Sequence, residues 1–169
     1  DDNIYVADQY NHRIQFYANG VSYGSTFAGT GSAGSADNQL SNPYGLSRDP
    51  TTHMIYIADY SNHRIMSYTI GATVGQMVAG KNISGNNSSF LYFAVRVHFE
   101  SNTHSLYINN LGQHNIIRWI LGADAGTLVA GSIQGLSGNS SRQLSSPMPL
   151  TLDPMGNVYV ADTINHRIQ

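Results

Sequence analysis

Three Asp–Arg pairs are the residues best placed to do chemistry, because the partners of each pair lie five positions apart. A hairpin turn between them would bring carboxylate and guanidinium together, where a two-pronged hydrogen bond can form. In another copy of the same segment both partners change, to Asn110 and Asn115, which indicates that the two positions are coupled. Catalysis needs unlike residues that converge on one place, so this repetition favours a structural staple. The pairs are Asp8 and Arg13, Asp59 and Arg64, and Asp162 and Arg167.

A histidine also recurs once in each copy, at His12, His63, His114 and His166. Imidazole is a common metal ligand, so a ring of histidines around an axis could hold a metal ion. Their position in a turn instead favours hydrogen bonding or packing. The remaining histidines show no metal-ligand spacing such as His-x-x-x-His. We therefore predict neither a metal site nor a bound cofactor.

These residues sit in a repeat of about 51 residues, most visible at Tyr5, Tyr56, Tyr107 and Tyr159. Two further elements recur in phase with it, one ending in Ala-Gly and one beginning with Leu-Ser-x-Pro. The best-defined copy predicts short strands near residues 44–49, 54–59, 64–69 and 75–79, each bounded by turn residues. No stretch shows a sustained 3.6-residue apolar period, so we expect no helices. Four strands per period indicate an all-β fold, a β-propeller of four-stranded blades, with residues 40–49 innermost.

Composition limits the class of partner. The 169 residues carry a net charge of −2, and only 11% are charged, whereas nucleic-acid binders usually show a basic stripe. There is no cysteine, which excludes disulfides and thiolate metal sites. No apolar run approaches the roughly 20 residues of a membrane span. We therefore expect no nucleic acid partner and no membrane span in this segment.

The signature Tyr-Val-Ala-Asp-x-x-Asn-His-Arg-Ile resembles the NHL repeat family, with Arg where the family name has Leu. The resemblance covers essentially the whole chain and implies a propeller that commonly has six blades. At about 3.3 periods, we expect a fragment, with the other blades supplied by the rest of a longer chain or by a second copy. The expected blades are residues 1–39, 40–90, 91–143 and 144–169, the first and last incomplete.

The family resemblance leaves three functions open. The first is a non-catalytic scaffold that binds a protein or a small extracellular ligand through inter-blade loops, because variable loops on a rigid frame suit recognition. The second is a metal-dependent peptidyl-hydroxyglycine lyase, for which no catalytic residue can be matched here. The third is RNA binding, which the net charge disfavours. We favour the scaffold, with Tyr10, Tyr60, Arg96, His98 and Gln113 as the candidate binding positions.

Four Asn-x-Ser sequons fall in the predicted inter-blade loops, at Asn82, Asn86, Asn87 and Asn139. Such sequons accept N-linked glycans in secreted proteins. Together with the absence of basic nuclear signals, they favour a secreted or extracellular protein.

Overall fold

The computed structural model describes residues 2–85 and 89–169. Within these residues the chain forms fourteen strands in four antiparallel sheets, which confirms the predicted all-β class. The turn between the second and third strand of each blade is a three-residue 3₁₀ helix. The prediction of no helices is therefore wrong at these turns, because a run this short shows no apolar period. The four 3₁₀ helices are Gln9–Asn11, Tyr60–Asn62, Leu111–Gln113 and Thr163–Asn165.

Each sheet takes strands that are consecutive in the chain. The first contains β1 (Ile4–Asp8), β2 (Arg13–Tyr17) and β3 (Ser25–Ala28). The second contains β4 (Pro43–Arg48), β5 (Ile55–Asp59), β6 (Arg64–Tyr68) and β7 (Gln76–Gly80). The third contains β8 (Ala94–Glu100), β9 (Ser105–Asn110), β10 (Asn115–Ile120) and β11 (Thr127–Gly131). The fourth contains β12 (Pro147–Leu152), β13 (Val158–Asp162) and β14 (Arg167–Ile168). The strands of the second sheet lie within one residue of the predicted bounds.

The repeated Ala-Gly element ends the last strand of a blade for a steric reason. Gly80 has a φ of +85°, and a Cβ there would lie 2.4 Å from the carbonyl oxygen of His63. Glycine is therefore the residue that fits this position. Gly29 and Gly131 occupy the same environment in the neighbouring blades.

The first strands of neighbouring sheets lie directly against each other. The Phe99 N–H of β8 donates to Ser47 Oγ of β4 at 2.8 Å. A Cβ at Gly45 would lie 2.6 Å from the carbonyl oxygen of Val95, so this close approach leaves no space for a side chain. β4 is thus at the edge of its sheet where blades meet most closely, the inner position predicted for residues 40–49.

The hydrophobic core is divided into layers between adjacent sheets. Tyr56 of β5 stacks on Phe99 of β8 with ring centroids 5.2 Å apart. Both faces of the second sheet pack on a neighbour, and every residue of β5 is buried. This explains why β5 is continuously apolar up to Asp59 instead of alternating. Within the described residues, no helix has the length and hydropathy needed to cross a membrane.

Candidate functional site

The turn between the second and third strand brings each Asp–Arg pair into contact. β5 ends at Asp59 and β6 begins at Arg64, and the two residues face each other across the ladder. Arg64 Nε donates to Asp59 Oδ2 at 2.7 Å, and both side chains are fully buried. Arg64 makes a single hydrogen bond to the carboxylate and not the bidentate pair that the spacing allows, because its other guanidinium nitrogens have different partners.

The terminal nitrogens of Arg64 bind the linker that leads into the same blade. Nη1 donates to the carbonyl oxygen of Ser35 at 2.8 Å. Nη2 donates to the carbonyl oxygens of Ala36 and Gln39 at 3.0 and 2.9 Å. Arg64 therefore joins the hairpin to a segment 25 to 29 residues earlier in the chain. The staple holds an inter-blade linker as well as a turn.

The acidic partners hold the residues just before each first strand. Asp59 Oδ1 accepts the backbone N–H of Ser41 at 2.6 Å. Asp162 Oδ1 accepts the equivalent N–H, that of Ser145, at 2.6 Å. In the drifted blade Asn110 Oδ1 accepts a backbone N–H at the same distance of 2.6 Å. The change from Asp to Asn preserves this bond because an amide oxygen is also an acceptor.

The three staples differ in exposure. Arg167 Nε donates to Asp162 Oδ2 at 2.8 Å, and its terminal nitrogens bind linker carbonyls, as those of Arg64 do. Arg13 Nε donates to Asp8 Oδ2 at 2.9 Å, with the two side chains 32% and 26% exposed. Within the described residues, Arg13 makes no other side-chain hydrogen bond. The pair in the second sheet is thus the most shielded from water.

The drifted blade replaces the staple with amides. Gln113 Nε2 donates to the carbonyl oxygen of Gly85, as Asn62 Nδ2 does to that of Gly34 at 2.8 Å. Gln113 is only 5% exposed. Its side chain therefore binds the inter-blade linker, and a role for Gln113 in ligand binding stays a prediction.

The environments of the buried carboxylates differ from blade to blade. Burial raises the pKa of Asp59 above its usual range, although the hydrogen bond from Arg64 opposes this effect. Burial also acts to raise the pKa of Asp162, but hydrogen bonds from Asn165 and Arg167 outweigh it, and the pKa is lowered. The acceptor oxygens of both groups are occupied by donors of the chain itself. This occupancy is what a structural role requires.

The turn histidines connect neighbouring blades. His12, His63 and His114 have positive φ values of 51°, 54° and 52°. In each, ring Nδ1 accepts a backbone N–H about thirty residues further on, at 3.2, 3.2 and 3.0 Å. These N–H groups belong to Asn42, Phe93 and Ser146, which precede the first strand of the next blade. This bond occupies one ring nitrogen, and among the described residues no group of three acidic or histidine side chains could hold a metal ion.

The remaining candidate residues occupy two kinds of position. Tyr10 and Tyr60 lie on the 3₁₀ turns, and Tyr10 is 84% exposed. Arg96 and His98 lie on strand β8 and not in an inter-blade loop, and their role in binding stays a prediction. Arg96 is exposed beside the inner edge of the blades, whereas His98 is half-buried, and burial lowers the pKa of His98.

An aromatic strip, which we define as Tyr44, Tyr60, Phe93 and Tyr92, crosses the junction between the second and third sheets. The Tyr44 and Tyr60 ring centroids are 6.3 Å apart. Tyr60 stacks on Phe93 at 4.7 Å, and Phe93 stacks on Tyr92 at 4.5 Å. Tyr44 is exposed and the other three rings are half-buried. His63 makes an edge-on contact with Phe93, with ring centroids 4.9 Å apart. The strip therefore joins four aromatic rings from the second and third blades.

The strip was not predicted from the sequence, although the sequence contains a signal for it. Tyr92 and Phe93 occupy the positions of Ser41 and Asn42 in the preceding blade. Phe93 has a φ of +54°. Asn adopts this left-handed conformation readily, but for a bulky residue it is an outlier, and such strain concentrates at functional sites. The replacement of two turn residues by aromatic ones in a single copy of the repeat therefore indicated this surface.

Comparison with known proteins agrees with this architecture. The NHL repeat family model matches residues 144–169. NHL repeat-containing protein 2 of Bos taurus is 35% identical over 68 residues, covering 37% of this chain and 9% of that protein. Its Gallus gallus counterpart is 38% identical over 68 residues, with the same coverage of 37% and 9%. The chain thus matches only a small part of the length of these relatives.

Solved structures share the fold at low sequence identity. An auxiliary nutrient binding protein from Bacteroides thetaiotaomicron superposes with a TM-score of 0.74 at 14% identity, over 98% of this chain and 44% of that one. A catalytically inactive virginiamycin B lyase from Staphylococcus aureus gives a TM-score of 0.66 at 14% identity, over 98% and 47%. Residues 144–169 match the NHL repeat model, and the chain as a whole shares the β-propeller fold of the solved structures.

Proposed function

We propose that this chain is a non-catalytic binding scaffold and that the aromatic strip is its recognition surface. The observation that carries the proposal is Phe93, a bulky ring at a positive φ where the neighbouring blades have Asn42 and Ser146. Asn at this position would suit the backbone better. The ring is half-buried and stacks on Tyr60 of the preceding blade. The positive φ of Phe93 costs conformational energy, and it places an aromatic ring on a partly exposed surface. This supports a binding role, because aromatic residues contribute much of the binding energy at interfaces.

The competing functions lack a comparable observation. The structural relatives include a nutrient binding protein and a lyase, and at 14% identity they bear on the fold alone. A peptidyl-hydroxyglycine lyase would need acidic and histidine groups free to act on a metal or substrate. The acidic and histidine residues that recur at the blade turns, such as Asp59, His63 and Asp162, instead form hydrogen bonds with other groups of the chain. RNA binding is disfavoured by the net charge of −2.

A variant that restores the repeat tests the proposal. Tyr92→Ser with Phe93→Asn gives the third blade the residues that the second has at Ser41 and Asn42. We expect it to fold at least as well as the parent. Parent and variant would be compared on peptide and glycan arrays, with Tyr23→Ser as a control that removes an exposed tyrosine outside the strip.

Ligands captured by the parent and the control, but not by the restored variant, would support the scaffold. Identical array profiles for all three proteins would refute the role of the strip. Zinc-dependent turnover of an α-hydroxyglycine peptide, abolished by a chelator, would replace the scaffold with the lyase.

We further propose that blades of the same repeat cover the two end sheets, from a longer chain or a second copy. Ile4 and Val6 of β1 are 59% and 41% exposed. Their equivalents in β5, Ile55 and Ile57, are 2% and 0% exposed because the first sheet covers them. The exposed face of the first sheet is therefore apolar enough to pack against a further blade, as the equivalent face of the second sheet packs against the first.

An extracellular location is also our proposal. Of the four sequons, those at Asn82 and Asn139 have exposed asparagines. Asn86 and Asn87 lie outside the described residues. Exposure makes the first two accessible to glycosylation, which takes place in the secretory pathway.

A further inference from the structure

We infer that the ligand of the aromatic strip is a proline-rich segment in the polyproline II conformation, with an acidic residue beside the prolines. The inference rests on the proposed binding function and names its ligand class. Three properties of the strip support it: its hydrogen-bonding groups, its length and the charge beside it.

The strip offers hydroxyl donors and no carboxylate. Among the described residues, the hydroxyls of Tyr44, Tyr60 and Tyr92 form no hydrogen bond with the chain, whereas those of Tyr68 and Tyr159 do. A polyproline II segment has unpaired carbonyl oxygens, and its prolines have no N–H. Its acceptors therefore match the free donors. A sugar would bring hydroxyl donors of its own, for which the strip supplies no carboxylate acceptor.

The length of the strip suits one turn of this helix. Polyproline II has three residues per turn and rises about 3.1 Å per residue, so equivalent prolines lie roughly 9 Å apart. The centroid steps are 6.3 Å from Tyr44 to Tyr60 and 4.7 Å from Tyr60 to Phe93. Tyr60, Phe93 and Tyr92 stack on one another and so offer the ligand their ring edges. Tyr44 is tilted by 41° from Tyr60 and can offer a ring face to a proline, the kind of contact that aromatic-lined grooves make with proline-rich peptides.

Arg96 supplies a charge beside the strip. Its side chain is exposed and has no ion pair or hydrogen bond among the described residues. A Cβ built at Gly45, the residue after Tyr44, would lie 3.2 Å from Arg96 Cδ. The guanidinium stem therefore runs next to one end of the strip. An acidic residue flanking the prolines would pair with it.

The test is a fluorescence-anisotropy titration of the 169-residue chain. The probe is a labelled peptide of about six prolines, two turns of the helix, flanked by glutamates. The comparison peptide carries the same glutamates with Gly and Ser in place of the prolines. We expect the proline peptide to bind at least about tenfold more tightly, because its conformation is already formed.

Four variants connect binding to the strip. Tyr92→Ser with Phe93→Asn should weaken binding of the proline peptide about tenfold or more, as loss of central aromatic contacts does. Tyr60→Phe removes only a hydroxyl and should weaken it about threefold to tenfold. Arg96→Gln should weaken it about threefold and reduce its dependence on salt. Tyr23→Ser, which removes an exposed tyrosine outside the strip, should leave it unchanged.

Equal affinity for the two peptides, or a proline affinity unaffected by the restored variant, would overturn the inference. If an oligosaccharide or a folded protein instead shows binding that the restored variant abolishes, the strip is a recognition surface with another ligand. If no array ligand distinguishes parent from restored variant, the proposed function fails as well. The two failures are therefore distinguishable.

Discussion

Removing Arg64 should damage the fold far more than removing its counterpart Arg13. Arg64 is fully buried, donates to Asp59 at 2.7 Å and binds three linker carbonyls at 2.8 to 3.0 Å. Arg64→Ala would leave a buried carboxylate without its cation, which typically costs about 3–5 kcal/mol. Arg13 is 32% exposed and has one carboxylate bond. Arg13→Ala should cost about 1 kcal/mol or less.

The drifted blade supplies the compensating change. Asn110 and Asn115 show that two amides can occupy the positions of Asp59 and Arg64. Asp59→Asn combined with Arg64→Asn should therefore cost less than the two single substitutions added together, by a coupling energy of about 0.5–3 kcal/mol. Asn115→Ala removes a single amide hydrogen bond, to a linker carbonyl at 2.8 Å. It should cost about 1–2 kcal/mol.

Urea unfolding would measure these free energies from the midpoint and slope. The single tryptophan, Trp119, is 2% exposed and reports on the third sheet. Coincidence of its fluorescence with circular dichroism would check that unfolding is two-state. If Arg64→Ala costs no more than Arg13→Ala, or if the Asp59–Arg64 cycle shows no coupling, the staple contributes nothing beyond a surface ion pair and our reasoning is wrong.

Three further predictions follow from the same contacts. Burial lowers the pKa of His63 below its usual 6.5. As the pH falls, His63 is therefore protonated in the unfolded chain before it is protonated in the folded one, so the free energy of unfolding should fall below about pH 6.5. His63→Asn should reduce this slope in pH-dependent urea melts but not abolish it, because burial also lowers the pKa of His98; an unchanged slope would exclude His63. Ile55→Ala should cost about 2–5 kcal/mol, whereas Ile4→Ala should change the same measurement by about 0.5 kcal/mol or less. Equal costs would show that the first sheet is not open in solution. Expression in a secretory host should add a glycan at Asn82 that Asn82→Gln removes, seen as a glycosidase-sensitive mass shift; an unmodified secreted chain would count against the site.

Local spacing was enough to predict the blade. The pair Asp59 and Arg64 is separated by a turn of fixed length, so a hairpin must place the two residues opposite each other. The strand bounds follow from turn residues at each end. The same information could not reveal that Arg64 also binds Ser35, because the linker lies 29 residues away and its path depends on how two blades pack.

The aromatic strip shows the limit more sharply. Tyr60 and Phe93 are 33 positions apart and stack only because the third sheet follows the second at the junction. Their chemistry is visible in the sequence as a departure from the repeat. Their contact is not visible there, since no periodicity within one blade carries the geometry between blades.

The sequence by itself determined the repeating unit: its strands, its turns, its Ala-Gly ends and the pairing of Asp with Arg. All of these are set by contacts within a few residues or across one hairpin. Only the tertiary structure decided burial and partners. Ile4 and Ile55 hold the same place in the repeat, yet one is 59% exposed and the other 2%. The difference arises because a residue is buried only where a neighbouring blade packs on it. The position of a residue within the repeat does not specify that neighbour.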